Sequence, residues 1–136
     1  MYNAVISQLL ALIQTLTEVK AAFDKFPDQF SEYPAVVIVP SGEQDTYLNI
    51  KDIQRQGKIL LYVYANITGT SDASQTVLRK ICTDIVELLW LQQNTTLSGT
   101  IDFPTGIETS FNWGTAAAGY YRATITYNYK ARTSRY

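Results

Sequence analysis

From Tyr120 to Lys130 the chain alternates strictly, with Tyr121, Ala123, Ile125, Tyr127 and Tyr129 interleaved with Arg122, Thr124, Thr126, Asn128 and Lys130. A period of two predicts a strand with one apolar face. Ile107 to Trp113 repeats the pattern, setting Ile107, Thr109, Phe111 and Trp113 against Glu108, Ser110 and Asn112. The connection from Gly114 to Gly119 suits a hairpin loop. Together the two runs predict an antiparallel pair whose apolar face needs a cover.

Two helical patterns can supply that cover. From Tyr2 to Phe26, Val5, Leu9, Leu12, Leu16, Val19, Phe23 and Phe26 recur at alternating steps of four and three, and Ile6, Leu10 and Ile13 widen the stripe. Pro27 disfavours helical geometry at Phe26, so this helix is expected to end within residues 24–26. Phe30 and Tyr33 are expected to seal its end onto the sheet. In the second pattern Asp72 followed by Gln75 resembles a capping box, and the helix is expected to start at Ala73. Its stripe is Val77, Leu78, Ile81, Cys82, Ile85, Leu88 and Leu89. Trp90 and Leu91 extend the apolar character beyond the stripe and point to a contact with another subunit or a loop.

Between the helices, Ala35 to Val39 reads as a buried strand, limited by Pro34 and Pro40 to about five paired residues. The polar stretch 43–58, with Tyr47, Leu48, Ile50 and Ile53 dispersed in it, reads as a protruding loop or hairpin arm, and 47–53 is a candidate exposed strand. Lys58 to Ile67 is apolar on both faces near its start, as a central strand would be. Leu97 to Phe103 is expected to begin a further strand before Pro104 interrupts it. The order α-β-(β)-β-α-β-β predicts an α+β fold: a mostly antiparallel sheet of four to five strands with two amphipathic helices packed on one face. Residues 1–136 are expected to form one domain, with the arm at 43–58 and a short basic tail at 130–136.

Composition narrows the chemistry. With 46% hydrophobic and 17% charged residues the chain is expected to be globular. Its longest apolar run, Ile59 to Ala65, is far short of the ~20 residues of a membrane span, and the N-terminus lacks the basic segment of a signal peptide. Cys82, the single cysteine, precludes an intrachain disulfide and reads as a small buried hydrophobe. There is no histidine, which removes Ser-His-Asp and Cys-His nucleophile systems and His-containing metal sites. Asp84 and Glu87, and the group Asp24, Asp28 and Glu32, read as solvated charges. Asp45 and Asp52 lack the spacing of a calcium loop, and no glycine-rich phosphate loop occurs. No enzyme, cofactor or metal is expected. Residues 1–121 carry a net −5 and residues 122–136 a net +4, from Arg122, Lys130, Arg132 and Arg135. Ten tyrosines in 136 residues point to surfaces buried against a partner, with Tyr47, Tyr62, Tyr64, Trp113 and Tyr120 as candidates.

The leading helix, the run from Tyr33-Pro34 through Val36-Val37-Ile38-Val39 to Pro40, the polar arm, the strand Ile59 to Ile67, the Asp72-capped helix ending Ile85-Val86-Glu87-Leu88-Leu89 and the final amphipathic hairpin resemble the tail terminator, or tail-completion, proteins of tailed bacteriophages. The resemblance spans nearly the whole chain and rests on order of elements and size, since that family has no catalytic motif. It implies a virion neck protein, assembled in the host cytoplasm, that forms a hexameric ring on the tail tube, stops tube polymerisation and presents a surface to the head-completion connector. Its implied partners are further copies of itself, the tail tube protein and the connector, with passing contact to genomic DNA and none to membrane. Arm and hairpin loop carry apolar groups without an evident place in the core. Tyr47, Leu48, Ile50, Arg55 and Lys58 in the arm, and Trp113, Thr115, Tyr120, Arg122, Arg132 and Arg135 around the hairpin, are therefore the candidate contacts with a neighbouring subunit or the tube. The alternatives are another head-tail joining or minor capsid component, and a small nucleic-acid-binding module using Arg122 to Arg135.

Overall fold

The computed structural model describes residues 2–49, 51–67, 71–114 and 119–134. Helix α1 (Tyr2–Ile13) is followed by β1 (Ala21–Phe23), β2 (Ala35–Tyr47), β3 (Asp52–Asn66), α2 (Ser71–Trp90), a short 3-10 turn (Gln92–Asn94), β4 (Phe103–Asn112) and β5 (Tyr120–Ser134). The five strands form one sheet in the order β1-β2-β3-β5-β4, antiparallel except for the β1–β2 pair. This is an α+β fold. β3 is central, and the alternation of β5 holds: Tyr121, Ala123, Ile125, Tyr127 and Tyr129 are all buried. They join Val5, Leu9, Val36, Ile38, Leu61, Leu78, Ile81 and Ile85 in one core between the helices and one face of the sheet. Cys82 is buried within it.

The first helix is half its expected length. It ends at Ile13, where Thr15 Oγ1 donates to the Leu12 carbonyl at 2.6 Å and the Leu16 amide turns back to Ile13. Residues 21–23 leave the helix to pair in parallel with Ala35–Val37, whose outer edge would otherwise lack hydrogen bonds. Leu16, Val19 and Ala22 still pack on the core, so the apolar spacing persists without the helix. Phe30 and Tyr33 are also placed differently from expectation. Phe23 pairs beside Val37, on the side of the sheet away from the helices, and Phe30 follows it there, 6.0 Å from Phe23 and 4.7 Å from Tyr64. Helix α2 begins at Ser71, two residues before the expected start. The expected cap on Asp72 and the residues preceding the helix, 68–70, lie outside the described side chains.

The middle strands run longer than the prolines suggested. β2 continues through Pro40 to Tyr47, and 47–53 is not a separate strand but the end of the β2–β3 hairpin. Pro40 is tolerated because β2 has no described neighbour on its outer side beyond Val37, and because the register shifts between Pro40 and Gly42. A second shift falls between Pro104 and Gly106 in β4. The stretch before it, 97–102, forms turns with Leu97 and Ser98 at φ 47 and 58 rather than the expected strand, and drops Leu97 and Ile101 into the core.

Both irregularities lie on one transverse row, Gly42–Lys58–Asn128–Gly106. Bulges bend and twist the strands that carry them, so this row is a fold line across the sheet. On one side stands the helix-covered body. On the other β2, β3 and β5 continue together as an arm. Tyr129 closes the line from the helix side: its ring lies across Gly57, its cross-strand partner, and its hydroxyl donates to Glu43 Oε1 at 3.1 Å. A side chain at position 57 would overlap that buried ring, whereas Gly106 faces open space. Gly57→Ala is therefore expected to lose about 1–3 kcal/mol of stability through overpacking, and Gly106→Ala to stay within about 1 kcal/mol of the parent. Urea denaturation of the two variants checks this.

Candidate functional site

The arm is a paired structure, not a loose loop. Glu43↔Gly57, Gln44↔Gln56, Asp45↔Arg55, Thr46↔Gln54 and Tyr47↔Ile53 face each other across β2 and β3, and β5 adds its residues up to Ser134 on the far side of β3. At the tip Asn49 Oδ1 accepts from the Lys51 and Asp52 amides at 2.8 and 2.9 Å, an Asx-type turn that fixes the loop. Tyr47 and Leu48 are 65% and 42% exposed there.

Two arginines brace the arm through ion pairs. Arg55 donates through Nε to Asp45 Oδ1 at 2.7 Å and through its terminal nitrogen to Oδ2 at 3.0 Å, with Glu43 at 3.5 Å. Arg132 Nε donates to Asp52 Oδ2 at 3.0 Å, while its backbone amide donates to Asp102. Hydrogen bonding to Arg55 holds the Asp45 carboxyl below its ordinary value, and hydrogen bonding to Arg132 does the same for Asp52.

Lys58 is exposed on the fold line, facing away from the helices. It borders a shallow polar trough of about 600 Å³ that runs past Gly42, Gln44, Gln56, Gly106 and Asn128. Two acids, Glu43 and Glu108, line the trough, and among the described residues no group of three or more Cys, Asp or Glu could hold a metal ion.

The opposite end of the sheet carries two aromatic surfaces. Away from the helices, Phe26 lies 5.6 Å from Tyr62, Tyr64 lies 5.4 Å from Tyr120, and the Arg122 guanidinium sits 5.3 Å above the Tyr62 ring. Burial pushes the Tyr64 hydroxyl up, against the opposing pull of Arg122. On the helix side, Phe111 and Trp113 stack at 5.2 Å and 4°, and Trp113 meets Tyr121 edge-on. Both are more than a third exposed. Beside them a groove of about 270 Å³ opens between α2 and β4, lined by Cys82, Thr83, Val86, Glu87, Thr109 and Phe111. Helix α1 packs on β1 and β2 and helix α2 on β3 and β5, so on β4, the outermost strand, Ile107 reaches the core while Thr109 and Phe111 are left exposed.

Of the residues singled out from the sequence, Tyr47, Leu48, Arg55 and Arg132 meet in the arm, with Lys58 at its base. Tyr120 and Arg122 lie at the far end on one face and Trp113 there on the other. Ile50, Thr115 and Arg135 lie outside the described residues. Arg132 belongs to β5 rather than to a tail, and both it and Arg55 are internally paired. The α2–β4 groove lies outside the sequence expectation, which puts Phe111 and Cys82 on a covered face and assigns Val86 no place, and only the count of strands against helices signals that cover runs out. Compared with protein-family models and with curated proteins, the sequence matches none. No described helix is long and apolar enough to cross a membrane.

The ion pairs set a pH dependence. Because the folded carboxyls of Asp45 and Asp52 lie below the ordinary 3.8, their contribution is full above that value and is lost as pH falls through the lowered folded values. Acidification below about pH 4 is therefore expected to strip hydrogen-exchange protection from arm amides 43–47 and 52–57 before those of 59–65. Arg55→Ala is expected to weaken arm protection already at pH 7.

Proposed function

We propose that this protein is a structural neck component of a tailed bacteriophage, forming a ring that caps the tail tube, ends its polymerisation and offers a docking surface to the head-side connector. The order of elements supports the reading. So does the chemistry, since the described surface gathers exposed aromatic and apolar groups rather than a set of catalytic or ligating side chains.

One observation carries it further than the rest. The two ends of the sheet bear different apolar surfaces, Tyr47 and Leu48 on the arm and Phe111 and Trp113 beyond the helices. A closed ring needs two unlike patches, because each subunit meets its neighbours through a heterologous contact. Among the described residues, β2 beyond Val37 and the outer side of β4 have no strand partner and add sites for strand addition.

Mass measurement in solution and negative-stain imaging, with the protein alone and with tail tubes, test the proposal. The wild type is expected to form rings and to cap tubes. Tyr47→Asp and Trp113→Asp are each expected to raise the concentration needed for assembly at least tenfold, about 1.4 kcal/mol per contact. Variants that assemble and cap as the wild type does would remove these residues from the interface. A wild-type protein that binds the head-side connector but never a tube would instead make it a head-joining component.

A further inference from the structure

The arm tip and the α2–β4 groove have complementary chemistry. At the tip, Tyr47 and Leu48 are exposed, and exposed Lys51 follows them in a turn held by Asn49. In the groove, Val86, Phe111 and Cys82 give apolar walls, and exposed Glu87 is the one charged residue of the lining. An apolar knob followed by a cation thus matches an apolar hole bordered by an anion.

The tip cannot enter the groove of its own chain. Tyr47 and Ile53 lie level with Thr133 of β5, while Phe111 lies level with Ala123. Ten residues of one continuous strand separate those levels, roughly 33 Å, and the arm is hydrogen-bonded to that strand along its length. A second copy supplies the tip without this restriction, and repeating the contact adds a copy at each step.

We infer that the arm tip of one copy seats Leu48, with Tyr47 beside it, in the α2–β4 groove of the next, and that Lys51 there pairs with Glu87. This deepens the ring reading above by naming the contact that joins neighbouring subunits, and it rests on that reading for the closure of the ring. Each subunit then offers one knob and one hole, and the seated arm covers the apolar row of β4 that the protein's own helices leave bare.

Cross-linking tests the contact directly. Leu48→Cys and Thr83→Cys are made separately, each with Cys82→Ala, and mixed under mild oxidation. The mixture is expected to give a disulfide-linked dimer, either variant alone to give little, and the chain carrying both cysteines to give a ladder of oligomers. Adding Lys51→Glu to the first partner is expected to cut the dimer yield several-fold, and adding Glu87→Lys to the second to restore it. No dimer from the mixture, equal dimer from Leu48→Cys alone, or a yield indifferent to the charge exchange would each overturn the contact. An uncross-linked mixture is also the result expected if the groove receives a tube or connector protein. Rings imaged without the cross-link would overturn the contact and leave the ring reading standing. Cross-linked open chains that never close, alone or on tubes, would do the reverse.

Discussion

Everything in this fold depends on the register of β5. Its apolar side chains, from Tyr121 to Ala131, are buried at every second position over the full height of the core. A slip by one residue would turn Arg122, Thr124, Thr126, Asn128 and Lys130 into that core and expose the tyrosines. β3 and β4 are hydrogen-bonded to its two sides, so the same alternation sets the facing of three strands. The helices then have one apolar surface on which to lie.

That surface is bounded in two directions, and the candidate sites lie at the boundaries. Along the strands, the bulges at Ser41 and Thr105 bend the sheet at one row, with Gly57 leaving room for Tyr129 at the crease. Past the crease Tyr129 and Ala131 are still buried in the core, and beyond them the arm is braced by ion pairs and a side-chain-capped turn. Across the strands, the helices run out before β4 does. Arm and groove are thus what remains of a sheet larger than its cover in both dimensions.

The residues that carry strict periodicity were legible in the sequence. β5, the central position of β3, the burial of Cys82 and most of the apolar face of α2 follow from spacing alone, whereas Val77 of the same stripe is exposed. What was not legible depends on pairing between distant segments. Residues 16–23 keep helical spacing, yet the open edge of Ala35–Val37 recruits 21–23 as a strand, because unsatisfied backbone groups outweigh a weak helical preference. Pro40 looked like a strand end, and an edge position with a bulge allowed the strand to pass through it. Of the site, the arm was visible as a polar stretch with misplaced apolar residues. Its bracing by Arg55 and Arg132 was not, since Asp52 and Arg132 are 80 residues apart in the chain. The groove escaped because facing can be read from alternation, whereas cover depends on how many helices are left to provide it.

The continuity of β5 has a mechanical meaning. One unbroken strand runs from the far-end aromatics to the base of the arm tip, and its hydrogen bonds to β3 lie across the strand direction. A pull between the two ends therefore loads many bonds together in shear rather than opening them one after another. The strand also acts as a ruler. Anything held at the arm and anything held beside Phe111 are kept a fixed spacing apart, roughly 33 Å along the strand between Ala123 and Thr133. That spacing is set by the number of residues in β5 and not by the side chains that make the contacts.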